Sequence, residues 1–230
     1  MSARPRRQAR EEGGTTREDW FRAALQLLIA DGIERVKVLS LTQRLGASRS
    51  SFYWFFKNRD DLLAQLLEHW RQKNTGALLA RARRSAPSIT AAVMNVFECA
   101  IDEAVFDVRL DTAIRDWARN DAAVDAAMRA ADAERIEALR QMFTRYGYPP
   151  GEDFIRARVL YLTQVGYHLV ERDEDLQTRF GYLPDYLFVL TGRPAPQAEI
   201  DEFAARRGFP PPSAGSTHAG APAAAKQEPR

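Results

Sequence analysis

Residues 38–56, VLSLTQRLGASRSSFYWFF, decide how the rest of the chain is read. Val38–Leu45 carries apolar side chains at helical spacing, Gly46-Ala47-Ser48 makes a tight turn, and Arg49–Phe56 makes a second short helix. Ser48 suits the start of that second helix, because its hydroxyl can accept from a first-turn amide. Leu41 and Leu45 on one helix, and Phe52 and Phe56 on the other, are spaced to face inward together. That leaves Arg49, Ser50, Tyr53 and Trp54 pointing out. Two short helices joined by a Gly turn make a helix-turn-helix when the second is free to enter a groove. The aromatic run Phe52–Phe56 cannot be buried on one face of one helix, so part of it must meet solvent or a partner.

Upstream, Thr15 with Glu18 reads as a capping box. The stripe Phe21, Ala24, Leu25 and Leu28 and a stop at Gly32 then give a helix from about Thr16 to Asp31. Phe21 and Leu25 are the expected packing partners of the inward set. Downstream, Asn58 caps a helix with Asp60 and Asp61 in its first turn. Its stripe of Leu63, Leu66, Leu67 and Trp70 runs on to about Arg84, ahead of Pro87. Helical spacing continues through Ile89–Val105, Asp111–Arg119, Asp121–Tyr146, Asp153–Glu171, Leu183–Leu190 and Gln197–Arg206. The expectation is an all-α protein of nine or ten helices. Its divisions are a basic disordered arm at 1–14, the helix-turn-helix domain at 15–60, a helical regulatory and dimerisation domain at 61–208, and a disordered tail at 209–230, where Pro, Ala, Gly and Ser dominate.

Charge sharpens the division. Residues 1–59 carry 12 Lys/Arg against 6 Asp/Glu, net +6, whereas the remainder carries 21 against 25, net −4. A basic front suits a polyanion. The outward face has the matching chemistry: an Arg fork for guanine edges, short hydroxyls, and a phenol that reaches phosphate. Lys57 and Arg59 extend it to the next helix start, where free amides favour a phosphate. The arm Arg4–Arg10 either enters a neighbouring minor groove or stays solvated. No apolar run approaches the ~20 residues needed to span a bilayer, and MSARPRRQAR has no apolar stretch behind its charges to make a secretory signal. Cys99, the only cysteine, has no internal partner, and a cytoplasmic setting follows. The sequence holds no phosphate loop, no nucleophile elbow and no metal-ligand cluster, since His69, His168 and His218 are scattered. It reads as neither an enzyme nor a cofactor protein.

The stretch from Trp20 to Trp70 resembles the DNA-binding domain of the TetR family of transcriptional regulators, in its AcrR-like form. The resemblance is carried by Leu41-Thr42-Gln43-Arg44-Leu45-Gly46-Ala47-Ser48 and by Ser51-Phe52-Tyr53-Trp54-Phe55-Phe56-Lys57-Asn58-Arg59-Asp60-Asp61-Leu62-Leu63. It implies base-facing positions at Arg49, Ser50 and Ser51 and phosphate contacts at Tyr53, Lys57 and Arg59, with Trp54 on the same face. Two positions depart from the family pattern. Phe55 stands where a His is usual, and the Val36-Lys37 region lacks the usual Thr cap, although Lys37 could supply a phosphate contact.

The resemblance further implies a repressor of a palindromic operator in double-stranded DNA, a homodimer joined by its C-terminal helices, and a small-molecule effector bound in the helical remainder. Asp153–Glu171, apolar on more than one face and with Gly166 midway, and Leu183–Leu190 are the expected dimer helices. Polar groups stranded among apolar ones mark the candidate effector site: Glu98, Asp102, Trp117, Phe143, Gln164, Tyr167 and His168. If these converge, aromatic walls with a carboxylate suit an amphipathic or cationic compound. Phe55 and the missing cap also leave open a helical small-molecule-binding or scaffold protein that has lost DNA binding.

Overall fold

A computed structural model describes residues 14–170 and 175–209, so both the Arg4–Arg10 arm and the tail beyond 209 lie outside the described residues. Every regular element described is helical, and none of these helices is long and apolar enough to cross a membrane. The helices are α1 (Arg17–Asp31), α2 (Val38–Leu45), α3 (Arg49–Phe55), α4 (Arg59–Trp70), α5 (Gly76–Arg83), α6 (Ile89–Ile101), α7 (Val108–Ala118), α8 (Ala122–Arg145), α9 (Glu152–Val170), α10 (Leu176–Gly181), α11 (Leu183–Thr191) and α12 (Gln197–Arg207).

Several boundaries differ from expectation for local reasons. The capping box sits one residue later, on Thr16 and Asp19 rather than Thr15 and Glu18. The Asp19 amide binds the Thr16 hydroxyl at 3.2 Å, and the Asp19 carboxylate takes the Thr16 amide at 2.9 Å. The buried face of α1 is Trp20, Ala23, Ala24, Leu27 and Leu28, with Phe21 and Leu25 at its edge. The Ile89 stripe ends at Ile101, because Asp102 leaves the helical conformation and turns its carboxylate to the Ala104 amide. A five-residue π turn, Arg71–Thr75, interrupts the helix expected to run to Arg84. The backbone stays right-handed through Arg71 and Gly76, so α4, the π turn and α5 form one rod. The extra residue rotates the buried face. Leu62, Leu66 and Trp70 face one core, and Leu78, Leu79 and Ala82 face another.

Those two cores organise the molecule. The first joins α1–α4 to α7 and the first half of α8, through Leu110, Ile114, Val124 and Met128. The second is built from α5, α6, the second half of α8, α9, α11 and α12. Between them lies a buried polar cluster. Arg135 on α8 is fully buried, with its guanidinium 5.1 Å from the Trp70 ring centre. It donates to Asp111 Oδ1 at 3.1 Å, Thr75 Oγ1 at 3.0 Å and the Tyr161 hydroxyl at 3.1 Å. Trp70 Nε1 donates to the same Asp111 oxygen at 2.8 Å. Arg115 donates to Asp111 Oδ2 at 3.0 Å and grips Asp132 with two bonds of 3.1 and 2.9 Å. Burial pushes the Asp111 carboxyl up, but the two guanidiniums more than offset this and hold it below the usual carboxylate range.

Two arginines face two aspartates here, so the cluster is neutral as a whole, and removing one member strands a charge. Arg135→Met should cost about 3–5 kcal/mol, read as a lower urea midpoint, because breaking a buried pair leaves the other charge uncompensated. The surface substitution Arg129→Met should cost no more than about 1 kcal/mol, since the exposed Arg129–Asp125 pair is screened by water.

Candidate nucleic-acid interface and effector cavity

The helix-turn-helix is anchored from below. Gly46, at φ 61°, turns the chain between α2 and α3 in the left-handed region that favours glycine. Ser48 then caps α3 by accepting from the Ser51 amide at 3.2 Å. Phe52 and Phe56 are buried and stacked on each other, with centroids 5.3 Å apart, and Trp20 meets Phe52 edge-on at 5.4 Å. Leu41 is buried with them, while Leu45 lies at the cluster's edge. The inward set therefore docks on Trp20, with Phe21 and Leu25 at the periphery. Each buried ring contributes roughly 1.5–3 kcal/mol, so α3 is a stiff platform.

The opposite face of α3 is open. Tyr53 is 56% and Trp54 82% exposed, and Arg49 and Ser50 are exposed beside them. Ser51 is half-buried, and Ser50 Oγ lies 2.8 Å from Ser48 Oγ. Lys37 and Lys57 are exposed at the flanks. Lys37 occupies the cap position of α2 and makes no side-chain cap there. Phe55 is half-buried against the core, so it adds apolar packing where a His would add a donor.

Arg59 is placed differently from its neighbours. Its Nε donates to the Val36 carbonyl at 2.6 Å and one Nη to the Ile33 carbonyl at 3.1 Å, tying the start of α4 to the 3-10 turn Ile33–Arg35 ahead of α2. The start of α4 is also already occupied: the Lys57 amide binds Asp61 at 2.9 Å, and the Asp61 amide binds Asn58 at 2.8 Å. Lys57 can offer a phosphate its ammonium, but not its amide.

The seven candidate effector residues separate into two groups. Gln164, Tyr167 and His168 lie on the inward face of α9 and line adjoining cavities. Trp117 meets Tyr167 and His168 at an open groove between the end of α1 and the α6–α7 connection. Phe143 is fully buried against Tyr148, away from all of these. Glu98 is committed elsewhere, paired at 2.7 Å with both Arg81 and Arg207, and Asp102 pairs with Arg207 at 3.0 Å. The expected carboxylate wall is absent because α12 brings Arg207 onto it.

One cavity, of about 70 Å³, is lined by Phe97, Tyr167, Phe180 and Tyr186 with Arg179 at 4.2 Å over the Tyr167 ring. A second, about 30 Å³, has Gln164 and His168 on one side and Asp111, Arg135 and Tyr161 of the polar cluster on the other. Gln164 Oε1 and His168 Nε2 are buried and have no hydrogen-bond partner among the described residues. Burial, reinforced by Arg179, pushes the His168 imidazole down to about 4, so it is neutral at pH 7. Arg179, Phe180, Tyr186 and Phe203 were not legible as lining residues, because α10–α12 reach the cavity only through the tertiary fold. Gln164, Tyr167 and His168 were legible, as three polar positions on one face of an apolar helix.

With that geometry in place, the relatives are informative. Residues 21–66 match the model of the bacterial regulatory proteins of the tetR family. An HTH-type transcriptional regulator of Saccharopolyspora erythraea is 34% identical over 65 residues, a stretch that spans 28% of this chain and 28% of that protein. Among solved structures, Mycobacterium smegmatis AmtR superposes with a TM-score of 0.56 at 22% identity, over 91% of this chain and 100% of its own. The reduced form of E. coli NemR gives 0.58 at 18% identity, over 79% and 98%. The SmeT–triclosan complex gives 0.53 at 18% identity, over 89% and 99%. At such identities the likeness is one of fold. The N-terminal domain of this chain is a tetR-family helix-turn-helix domain, joined to a larger helical domain in the arrangement those solved structures share.

Proposed function

We propose that the chain is a dimeric, effector-responsive transcriptional repressor that binds a palindromic operator through α3. The observation that carries this reading is the division of α3 and its capping residue Phe56 into a buried side of Phe52 and Phe56 and an open side of Arg49, Ser50, Tyr53 and Trp54. A helix held rigidly on one side and open on the other is what entry into a major groove requires. Arg49 and the Ser50 and Ser51 hydroxyls supply base-reading groups, and Tyr53, Lys37 and Lys57 supply phosphate contacts. Arg59 acts by holding the α2 start in place, through the two carbonyls it grips.

Dimerisation is supported by one face of α9. Ile155, Val159, Leu162 and Leu169 are 44–57% exposed and repeat about every turn, in line with Gly166. A Cβ added at Gly166 would meet nothing within 4 Å inside the chain, so packing within one subunit does not require the glycine. Phe188 and Val189 on α11 are 55% and 71% exposed. An apolar stripe of this kind suits burial against a second copy, whose two-fold axis would set two α3 helices on successive major-groove faces. The SmeT–triclosan complex lends support to a small-molecule effector in the cavity beside α9.

Selection of bound DNA from random sequence should recover a palindrome, and affinity should fall steeply as salt rises. Arg49→Ala should cost about 1–3 kcal/mol and relax specificity at one position, whereas Tyr53→Ala should weaken all sequences alike. Binding that is absent or insensitive to salt would instead support a ligand-binding or scaffold protein without DNA function. Sedimentation at micromolar concentration should show two chains per particle. Leu162→Arg should give single chains with an unchanged helical circular dichroism spectrum.

A further inference from the structure

Taking the effector reading as its basis, we propose that the two cavities beside α9 together accept a small, uncharged ring compound whose hydroxyl bridges Gln164 and His168. Three observations define that chemistry. Ala100 and Gln164 line both cavities, so only a methyl group and a flexible amide are common to the apolar compartment and the polar one. An apolar cavity of ~150 Å³ admits benzene; the two cavities hold about 70 and 30 Å³, so a single small ring is the upper limit and it fits only when the Gln164 side chain between them yields. Aromatic side chains make up much of the larger cavity's wall and favour a ring edge-on or offset.

The polar end needs a donor and an acceptor in one small group. Gln164 Oε1 and His168 Nε2 stand one turn apart on α9, both buried and both without a partner among the described residues. A hydroxyl carries one donor hydrogen and two acceptor lone pairs, so with the His168 proton on Nε2 a single oxygen donates to Gln164 Oε1 and accepts from His168 Nε2. A charged group fits poorly. No carboxylate lines the larger cavity, which leaves a cation without a counter-charge, and the Arg179 on its wall is already engaged over the Tyr167 ring. Behind the smaller cavity, Asp111 and Arg135 are already paired with each other at 3.1 Å, and Arg115 takes the other Asp111 oxygen. That wall holds no unpaired charge of either sign for an ionic ligand, and burial penalises any charge brought to it. The cationic compound suggested by Glu98 and Asp102 is replaced by a neutral one, because Arg207 neutralises both carboxylates.

Calorimetric titration of the full chain at pH 7 with 4-ethylphenol, ethylbenzene, 4-ethylbenzoate and 4-ethylbenzylammonium tests this. The phenol should bind about tenfold more tightly than ethylbenzene, the ratio of a well-made hydrogen bond, and more tightly than either ion. Gln164→Leu and His168→Leu should each reduce the phenol's advantage to about twofold or less, while ethylbenzene still binds. Both variants should melt no lower than the parent, because each removes a buried polar atom that lacks a partner. Ethylbenzene binding as tightly as the phenol would mean that the polar end holds water only, and would overturn the proposal. So would an ion binding as tightly, an unchanged ratio in both variants, or no binding by any probe. DNA affinity measured in parallel separates the two readings. Phenol binding that leaves DNA affinity unchanged would refute the effector role and leave the site standing.

Discussion

The Asp111–Arg135 ion pair is the contact on which the architecture depends. A fully buried guanidinium loses its hydration on folding, and only a complete set of partners restores what is lost. Arg135 finds that set on four different elements: Thr75 on the π turn, Asp111 on α7, Tyr161 on α9 and the Trp70 ring at the end of α4. Each partner must be in place for the charge to be tolerated, so the cluster fixes how the rod of α4 and α5 lies against α7, α8 and α9. Apolar contacts alone would tolerate small slides between these helices. Directional bonds to a buried charge do not.

This constraint links the two functional regions. The first core carries α3 at its outer edge and Leu110 and Ile114 of α7 at its inner edge. The second core holds the cavity, with Gln164 and His168 on α9. Asp111 is on α7 and Tyr161 is on α9, one turn before Gln164, so the polar cluster touches both cores and the cavity wall. The open groove between the end of α1 and the α6–α7 connection runs along the same seam. A molecule seated beside α9 lies within one side chain of the contacts that position the helices beneath α3.

α9 shows how one helix divides its surface. One face carries Leu160, Tyr161, Gln164 and His168 toward the core and cavities, and another carries Ile155, Val159, Leu162 and Leu169 outward. The sequence already pointed to two apolar faces in this segment. What distinguished them was packing: α8 and α11 cover the first face and leave the second open.

The helix-turn-helix was legible from residues 38–63 because its determinants are local. Gly46 sets the turn, Ser48 caps the helix that follows, and the spacing of Leu41, Phe52 and Phe56 selects the buried side. The all-helical class was legible for the same reason, since helical periodicity is written in neighbours three and four residues apart. One-residue choices were not. Thr15 and Thr16 are equally suited by residue type to cap α1, and in the structure it is Thr16 that closes the capping box, with Asp19. The fate of three acidic residues was not legible either, because their partners are distant in the chain. Glu98 and Asp102 are claimed by Arg207, more than a hundred residues away, and Asp111 by Arg135. By itself the sequence determined the helix-turn-helix and the helical class, through contacts that are short in the chain. The tertiary structure alone decided which charges are neutralised and which polar atoms are left facing a cavity, because those outcomes depend on partners that only folding brings together.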